Sequence, residues 1–276
     1  MLPIKLNICS KEICAIFGYT LVLLLLPFLP GNGQIIKQAI PDKTVVLTFD
    51  DGAASHYGLV APLLKKREFG ATFFVCEFPP NFADSSLYMN WRQMQELDKM
   101  GFEVANHTHT HAPVGRLPEE DIIRELTYIE NKFDSLKMTP PIGFAYPGYS
   151  MSPTVFQVLD QKGYLLARTG GSRPYNPLED HPYLLPSWAT DSENEDTIME
   201  ALTEAKNGKI VILTIHGVPD KEHPWVNTPP EMFLRYLDYL SENNFRVMSL
   251  KQLTQFIDFK QARKELNLDL DKPLRN

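Results

Sequence analysis

Cysteine is almost missing from this chain, with three in 276 residues. Two of them, Cys9 and Cys14, precede an apolar N-terminal stretch, so a chain that loses that stretch keeps only Cys76. A disulfide framework is thereby excluded. Cys76 closes the run Ala71-Thr72-Phe73-Phe74-Val75-Cys76, where a buried, inert thiol is expected. Basic charge is also short: 27 Lys and Arg stand against 34 Asp and Glu, a net charge of −7. A surface built to neutralise phosphates is not there, and nucleic acid drops out as a partner. There is no G-X-Y period, no sustained heptad and no self-similar unit of about 20 to 50 residues, which removes collagen, coiled coils and solenoids. No Ser- or Pro-rich linker divides the chain. Residues 34–276 are therefore expected to form one domain, of a size that a single barrel core can hold.

The one long hydrophobic run lies at the start, where Lys5 and Lys11 lead into an apolar stretch over 15–29 centred on the run from Leu21 to Leu26. It is shorter than the roughly 20 residues a membrane span needs and has the form of a secretory signal peptide over 1–33. Gly31-Asn32-Gly33 is not an A-x-A cleavage site, so an uncleaved anchor is the alternative, and it would be the only contact with a membrane. Either way the domain is expected outside the cytoplasm, as a secreted, periplasmic or envelope protein.

Beyond residue 43, short apolar or β-branched runs alternate with helical patterns, the mark of βα units around a parallel sheet. Seven strands are expected, at 44–49, 71–75, 102–105, 142–145, 164–167, 209–215 and 246–249. Helices are expected at 57–69, 91–100, 119–136, 153–162, 195–207 and 229–243. The third is the clearest, because Ile122, Ile123, Leu126, Ile129 and Phe133 follow the helical period behind Pro118. Residues 170–186 are dense in Pro and Gly and read as a long loop.

The chemistry-bearing residues sit at strand ends. Thr48-Phe49-Asp50-Asp51-Gly52 places two adjacent carboxylates after an apolar strand, although Asp-Gly is also ordinary turn chemistry. After another strand, Asn106-His107-Thr108-His109-Thr110-His111 packs three of the seven histidines into five residues. His107 and His111, four apart, face one ion if the segment turns helically, and His109 then points elsewhere. A solvated polar loop is the plainer alternative. One Asp with two His leaves open positions on a divalent metal, as a catalytic site requires. A further strand ends at His216-Gly217, and closure into a barrel would gather all these groups on one face.

These residues resemble the polysaccharide deacetylases, also called carbohydrate esterase family four or the NodB-homology domain, over 45–255. Thr48-Phe49-Asp50-Asp51-Gly52 is similar to the family's first motif, which implies that Asp50 is the base and Asp51 a metal ligand. His107 to His111 matches the H-[ST]-x-x-H second motif, implying His107 and His111 as the other ligands. Phe144-Ala145-Tyr146-Pro147-Gly148 resembles the third, a wall of the groove whose Gly148 N–H would receive an oxyanion. Leu213-Thr214-Ile215-His216 resembles the fifth, which supplies the acid, His216. The resemblance implies a distorted (β/α)7 barrel of α/β class, one divalent ion (zinc first, with cobalt, nickel, manganese or iron as alternatives), and removal of N-acetyl, or O-acetyl, groups from an acetylated glycan. Tyr146, Pro147, Gly148, Tyr149, Trp188 and Trp225 are then candidate sugar contacts, although any one aromatic taken alone reads first as a packing residue.

Two departures stand out. Ala145 occupies the place where the third motif often carries an Arg that orients the base, and Tyr164 to Thr169 has no convincing fourth motif. One exchange accounts for both if Arg168, past the next strand, reaches Asp50 with two parallel hydrogen bonds. Thr214 also replaces the usual Leu of the acetyl pocket. Competing readings are a cyclic-amide hydrolase of the same fold, against which the leader argues, and an inactive carbohydrate-binding relative. Oligomeric state is not legible.

Overall fold

The computed structural model describes residues 34–270; the expected leader, 1–33, lies outside the described residues, as does 271–276. Among the described residues eight parallel strands form one sheet: β1 (Thr44–Phe49), β2 (Thr72–Val75), β3 (Glu103–Asn106), β4 (Gly143–Ala145), β5 (Leu166–Arg168), β6 (Trp188–Ala189), β7 (Val211–Ile215) and β8 (Arg246–Met248). Their order is β5-β4-β3-β2-β1-β7-β6, with β8 on β1. Around them run α1 (Ala61–Lys66), α2 (Trp91–Lys99), α3 (Glu119–Ser135), α4 (Pro153–Lys162), α5 (Glu195–Leu202), α6 (Pro230–Glu242) and α7 (Phe259–Glu265).

The sheet is curled, and two features distort it. β8 pairs with Thr44 to Val46 while β2 pairs with Thr48 and Phe49, so these two strands share one edge of β1. At the other side, residues 182–189 draw the sheet edges together. Leu185 donates to the Ala167 carbonyl at 3.0 Å and accepts from Thr169 N–H at 2.8 Å, after which Trp188 and Ala189 pair with Leu213 and Thr214 of β7. β6 is only two residues long, which is why no apolar run announced it.

Both faces of the sheet are apolar, as a parallel sheet covered by helices requires. Val45, Leu47, Phe49, Phe73, Val75, Val104, Leu213 and Ile215 pack outward against the helices. Val46, Phe74, Ala105, Ala145, Leu166 and Ile212 belong to the inner cluster. Side chains alternate along a strand, and following the inner parity to or just past each C-terminal end arrives at Asp50, His107, Arg168 and His216. The barrel thus delivers those four side chains to one end. Of the expected stripe on α3, Ile122, Leu126, Ile129 and Phe133 are buried, whereas Ile123 is half-buried. Among the described residues no helix is long and apolar enough to cross a membrane.

Candidate active site

Asp50 continues β1, its N–H donating to the Ile215 carbonyl at 2.9 Å. The chain then reverses through two left-handed residues, Asp51 (φ 69°) and Gly52 (φ 66°). Asp tolerates that conformation better than most side chains, and a strained turn at such a place is a mark of function. β3 delivers His107, whose Nδ1 donates to the Ala145 carbonyl at 2.9 Å. Because a carbonyl only accepts, this bond puts the proton on Nδ1 and leaves Nε2 free as a ligand atom.

Nε2 of His107 lies 3.2 Å from Asp51 Oδ1, and Nε2 of His111 lies 3.4 Å from the same oxygen. The three ligand atoms fall within 4.8 Å of one another. The expected helical turn is not what brings the two imidazoles together. Thr108 (φ 68°) and His111 (φ 54°) instead coil the segment in the left-handed region. Asn106 Oδ1 accepts from Thr108 N–H at 2.8 Å, and Glu125 holds Thr110 through its N–H and hydroxyl at 2.8 and 3.0 Å. His109 points away, stacked 3.5 Å from Tyr128 with Nε2 3.3 Å from Glu77.

Asp51 Oδ1 is buried without a hydrogen-bond partner, yet two imidazole nitrogens face it. An orphaned carboxylate oxygen costs free energy in a protein interior, and a cation among these groups removes that cost. The donor set of one carboxylate and two imidazoles fits a divalent transition metal. The electrostatics agree. Burial alone would raise the Asp51 pKa, but the adjacent His107 imidazole, with His216 and His111, holds it far below the usual carboxylate range. Burial, helped by His107, pushes His111 down to about 4, so its ring is neutral and available as a ligand near neutral pH.

Arg168 is the last residue of β5, in register with Ala145, and donates from Nη2 to Asp50 Oδ2. It is wholly buried, and its guanidinium lies 5.4 Å from the Phe74 ring and 5.7 Å from the Tyr149 ring. The expected pair of parallel hydrogen bonds is not formed: one nitrogen reaches Asp50, while Nε and Nη1 have no hydrogen-bond partner. His216 follows β7 and places Nε2 3.9 Å from Asp51 Oδ2.

A cavity of about 280 Å³ covers this centre. Tyr146, Gly148, Tyr149 and Trp225 line it as expected, and Gly148 takes up a φ of 55° there. Pro147 and Trp188 do not. Pro147 is buried beneath the turn, and Trp188, 8% exposed, packs into the core against the helices because the parity of β6 turns it outward from the barrel. Phe78, Ala189, His223 and Val226 line the cavity instead; nothing in their spacing set them apart. A cavity of about 350 Å³ at the other end of the strands, beside Glu103 and Lys251, shares none of these groups.

His56 is a further residue that no motif announced. Its Nε2 donates to the His216 carbonyl at 2.9 Å, and its ring packs on Phe49 and Phe73 at 5.3 and 5.7 Å. Burial pushes its pKa down to about 4, below the usual imidazole value of about 6.5. The folded state therefore keeps His56 neutral while the unfolded chain takes up a proton. Stability from this group is present above about pH 6.5 and is lost as pH falls toward 4, by on the order of 3 kcal/mol. Urea unfolding midpoints are expected to fall more steeply across that window for the parent than for His56→Gln. Parallel slopes would contradict the assignment.

The model of polysaccharide deacetylases matches residues 37–167, which hold Asp50, Asp51, His107 and His111 and end just before Arg168. The bifunctional xylanase/deacetylase of Pseudobutyrivibrio xylanivorans is 25% identical over 171 residues, 62% of this chain and 25% of that protein. The chitin deacetylase of Pestalotiopsis sp is 27% identical over 132 residues, 48% of this chain and 43% of that protein. The chain thus spans less than half the length of these curated relatives. Among solved structures, the Xyl-CE4 domain of a multidomain xylanase from the hindgut metagenome of Trinervitermes trinervoides superposes with a TM-score of 0.56 at 21% identity, covering 78% of this chain and 91% of that one. A family 4 carbohydrate esterase from Streptomyces lividans gives 0.51 at 19%, covering 78% and 96%; at such identities these two likenesses speak for the fold. It is the family match across the first three motifs that leads to the conclusion: over residues 37–167 the chain belongs to the polysaccharide deacetylase family.

Proposed function

We propose that this protein is a metal-dependent hydrolase that removes acetyl groups, N-linked in the first place, from an acetylated glycan outside the cytoplasm. The observation that carries the reading is the convergence of Asp51, His107 and His111 next to an ion-paired Asp50. A divalent ion, zinc in the first place, held by those three residues would polarise the acetyl carbonyl and lower the pKa of a water toward neutrality. Asp50, oriented by Arg168, takes the proton from the attacking water. The Gly148 N–H, at the cavity wall, meets the negative charge that develops on the carbonyl oxygen. His216, which follows β7 beside β1, protonates the departing amine, since an amide C–N bond breaks poorly until its nitrogen gains a proton. The products are acetate and a free amino sugar.

Acetate release from peptidoglycan, chitin oligomers, poly-N-acetylglucosamine and acetylxylan tests this reading. Release is expected from at least one of them, stopped by a chelator and restored by a divalent ion. No release from any, with hydrolysis of a cyclic amide such as allantoin instead, would overturn it. His111→Ala is expected to lose the ion and the activity together, whereas His109→Ala keeps the ion, because His109 faces Glu77 and Tyr128. The reverse pattern would refute the ligand assignment.

A further inference from the structure

The loop after His216 is built around one buried carboxylate. Asp220, 8% exposed, accepts from the Gly217 N–H at 3.0 Å through Oδ2, and from the Glu222 and His223 N–H groups at 3.1 and 2.7 Å through Oδ1. Its own N–H donates to Asn227 Oδ1 at 2.8 Å, and Thr228 N–H closes the loop onto the Gly217 carbonyl at 3.3 Å. The fold is tight enough that a Cβ on Gly217 would stand 2.4 Å from the Asp220 Cα. Val218 N–H ties the loop to Ser55 Oγ at 2.8 Å.

What this loop displays is a row of rings leading out of the centre. The His111 ring lies 4.6 Å from Phe78, Phe78 lies 4.9 Å from His223, and His223 lies 5.3 Å from Trp225. Trp225 ends the row 70% exposed, the most exposed large hydrophobic residue among those described. Phe78, His223 and Trp225 all line the cavity over the centre, so the row carries its wall out to the surface, and a flat indole suits the C–H face of a sugar. The loop has no strand or long helix of its own to hold that ring, so its placement depends on the Asp220 hydrogen bonds.

We infer that Asp220 is a positioning residue for substrate length: it sets Trp225 to stack the sugar next to the one whose acetyl group is removed, so that an oligosaccharide is preferred to a single sugar. This rests on the deacetylase reading for its chemistry, but not for its binding. The test compares N-acetylglucosamine with its β-1,4-linked pentamer as substrates for the parent, Asp220→Ala, Asp220→Asn and Trp225→Ala. For the pentamer, Asp220→Ala is expected to raise KM about tenfold with a smaller fall in kcat and metal content kept. Asp220→Asn, which can still accept through Oδ1, falls between it and the parent. The monomer is expected to suffer less than the pentamer in each variant. Equal losses on both substrates, or an unmoved pentamer KM, would overturn the inference. Trp225→Ala, at an exposed position, must show the same split if Asp220→Ala does not fold. Pentamer binding followed by tryptophan fluorescence in the parent and Asp220→Asn separates the two levels. Asp220-dependent binding without acetate release overturns the deacetylase reading alone, and acetate release with an Asp220-independent pentamer KM overturns this inference alone.

Discussion

Asp50→Asn is expected to lower turnover by about 10²- to 10⁴-fold, the usual contribution of a general base, and to leave metal content at the parent level. The substitution is nearly isosteric and keeps an oxygen to accept from Arg168 at Oδ2. What it removes is the ability to take a proton. The neighbouring Asp51 carries the contacts with His107 and His111, whereas Asp50 approaches only His107, at 3.9 Å. On the proposed reading, proton transfer and ion binding fall on adjacent residues with different backbone geometry, one extended from β1 and the other in the reversal after it. Single-turnover acetate release and elemental analysis of one sample check this. Activity retained in Asp50→Asn, or lost together with the ion, would place the base elsewhere.

Arg168→Ala is expected to be nearly as damaging, and in two ways. Removing a buried guanidinium leaves Asp50 buried and unpaired, a loss of about 3 to 5 kcal/mol when one partner of such a pair is deleted. It also frees the base to rotate, so turnover is expected to fall about a hundredfold or more. Arg168→Lys separates the two effects, because it restores a positive charge but not a planar group suited to the slot between Phe74 and Tyr149. The lysine variant is expected to regain most of the stability and little of the rate. Position 145 is paired with 168 across β4 and β5, so Ala145→Arg in the Arg168→Ala background is expected to recover part of the rate. Denaturant melts and kcat for the four proteins check the scheme. An Arg168→Ala protein that turns over like the parent would show that Asp50 is oriented by something else.

How much of this was legible follows from which residues speak locally. Strands such as Thr44–Phe49 and Val211–Ile215 announce themselves because both faces are buried, which makes continuous apolar runs. Asp50, Asp51, His107, His111 and His216 stood out because charged and titratable groups interrupt those runs at their C-terminal ends. Arg168 was legible only through what Ala145 lacks; the structure sets it in register with Ala145 and against Asp50, with one hydrogen bond in place of the expected two. Trp188 was misplaced because β6 is too short for its parity to be read. The left-handed coil between His107 and His111 is imposed by Asn106 and Glu125, the second of which lies on another element. His56 and Asp220 act through backbone groups of residues brought near by tertiary folding, and a lone His or a loop Asp carries no periodic signal.

The central claim is that Asp51, His107 and His111 hold one catalytic divalent ion. Titrating the metal-stripped protein with zinc while following acetate release tests it most directly. The account predicts that activity rises in proportion to bound zinc and saturates at about one equivalent per chain in the parent, and that His107→Ala and His111→Ala neither retain the ion nor recover activity. Full acetate release from the stripped parent, or zinc bound undiminished by both histidine variants, would contradict it.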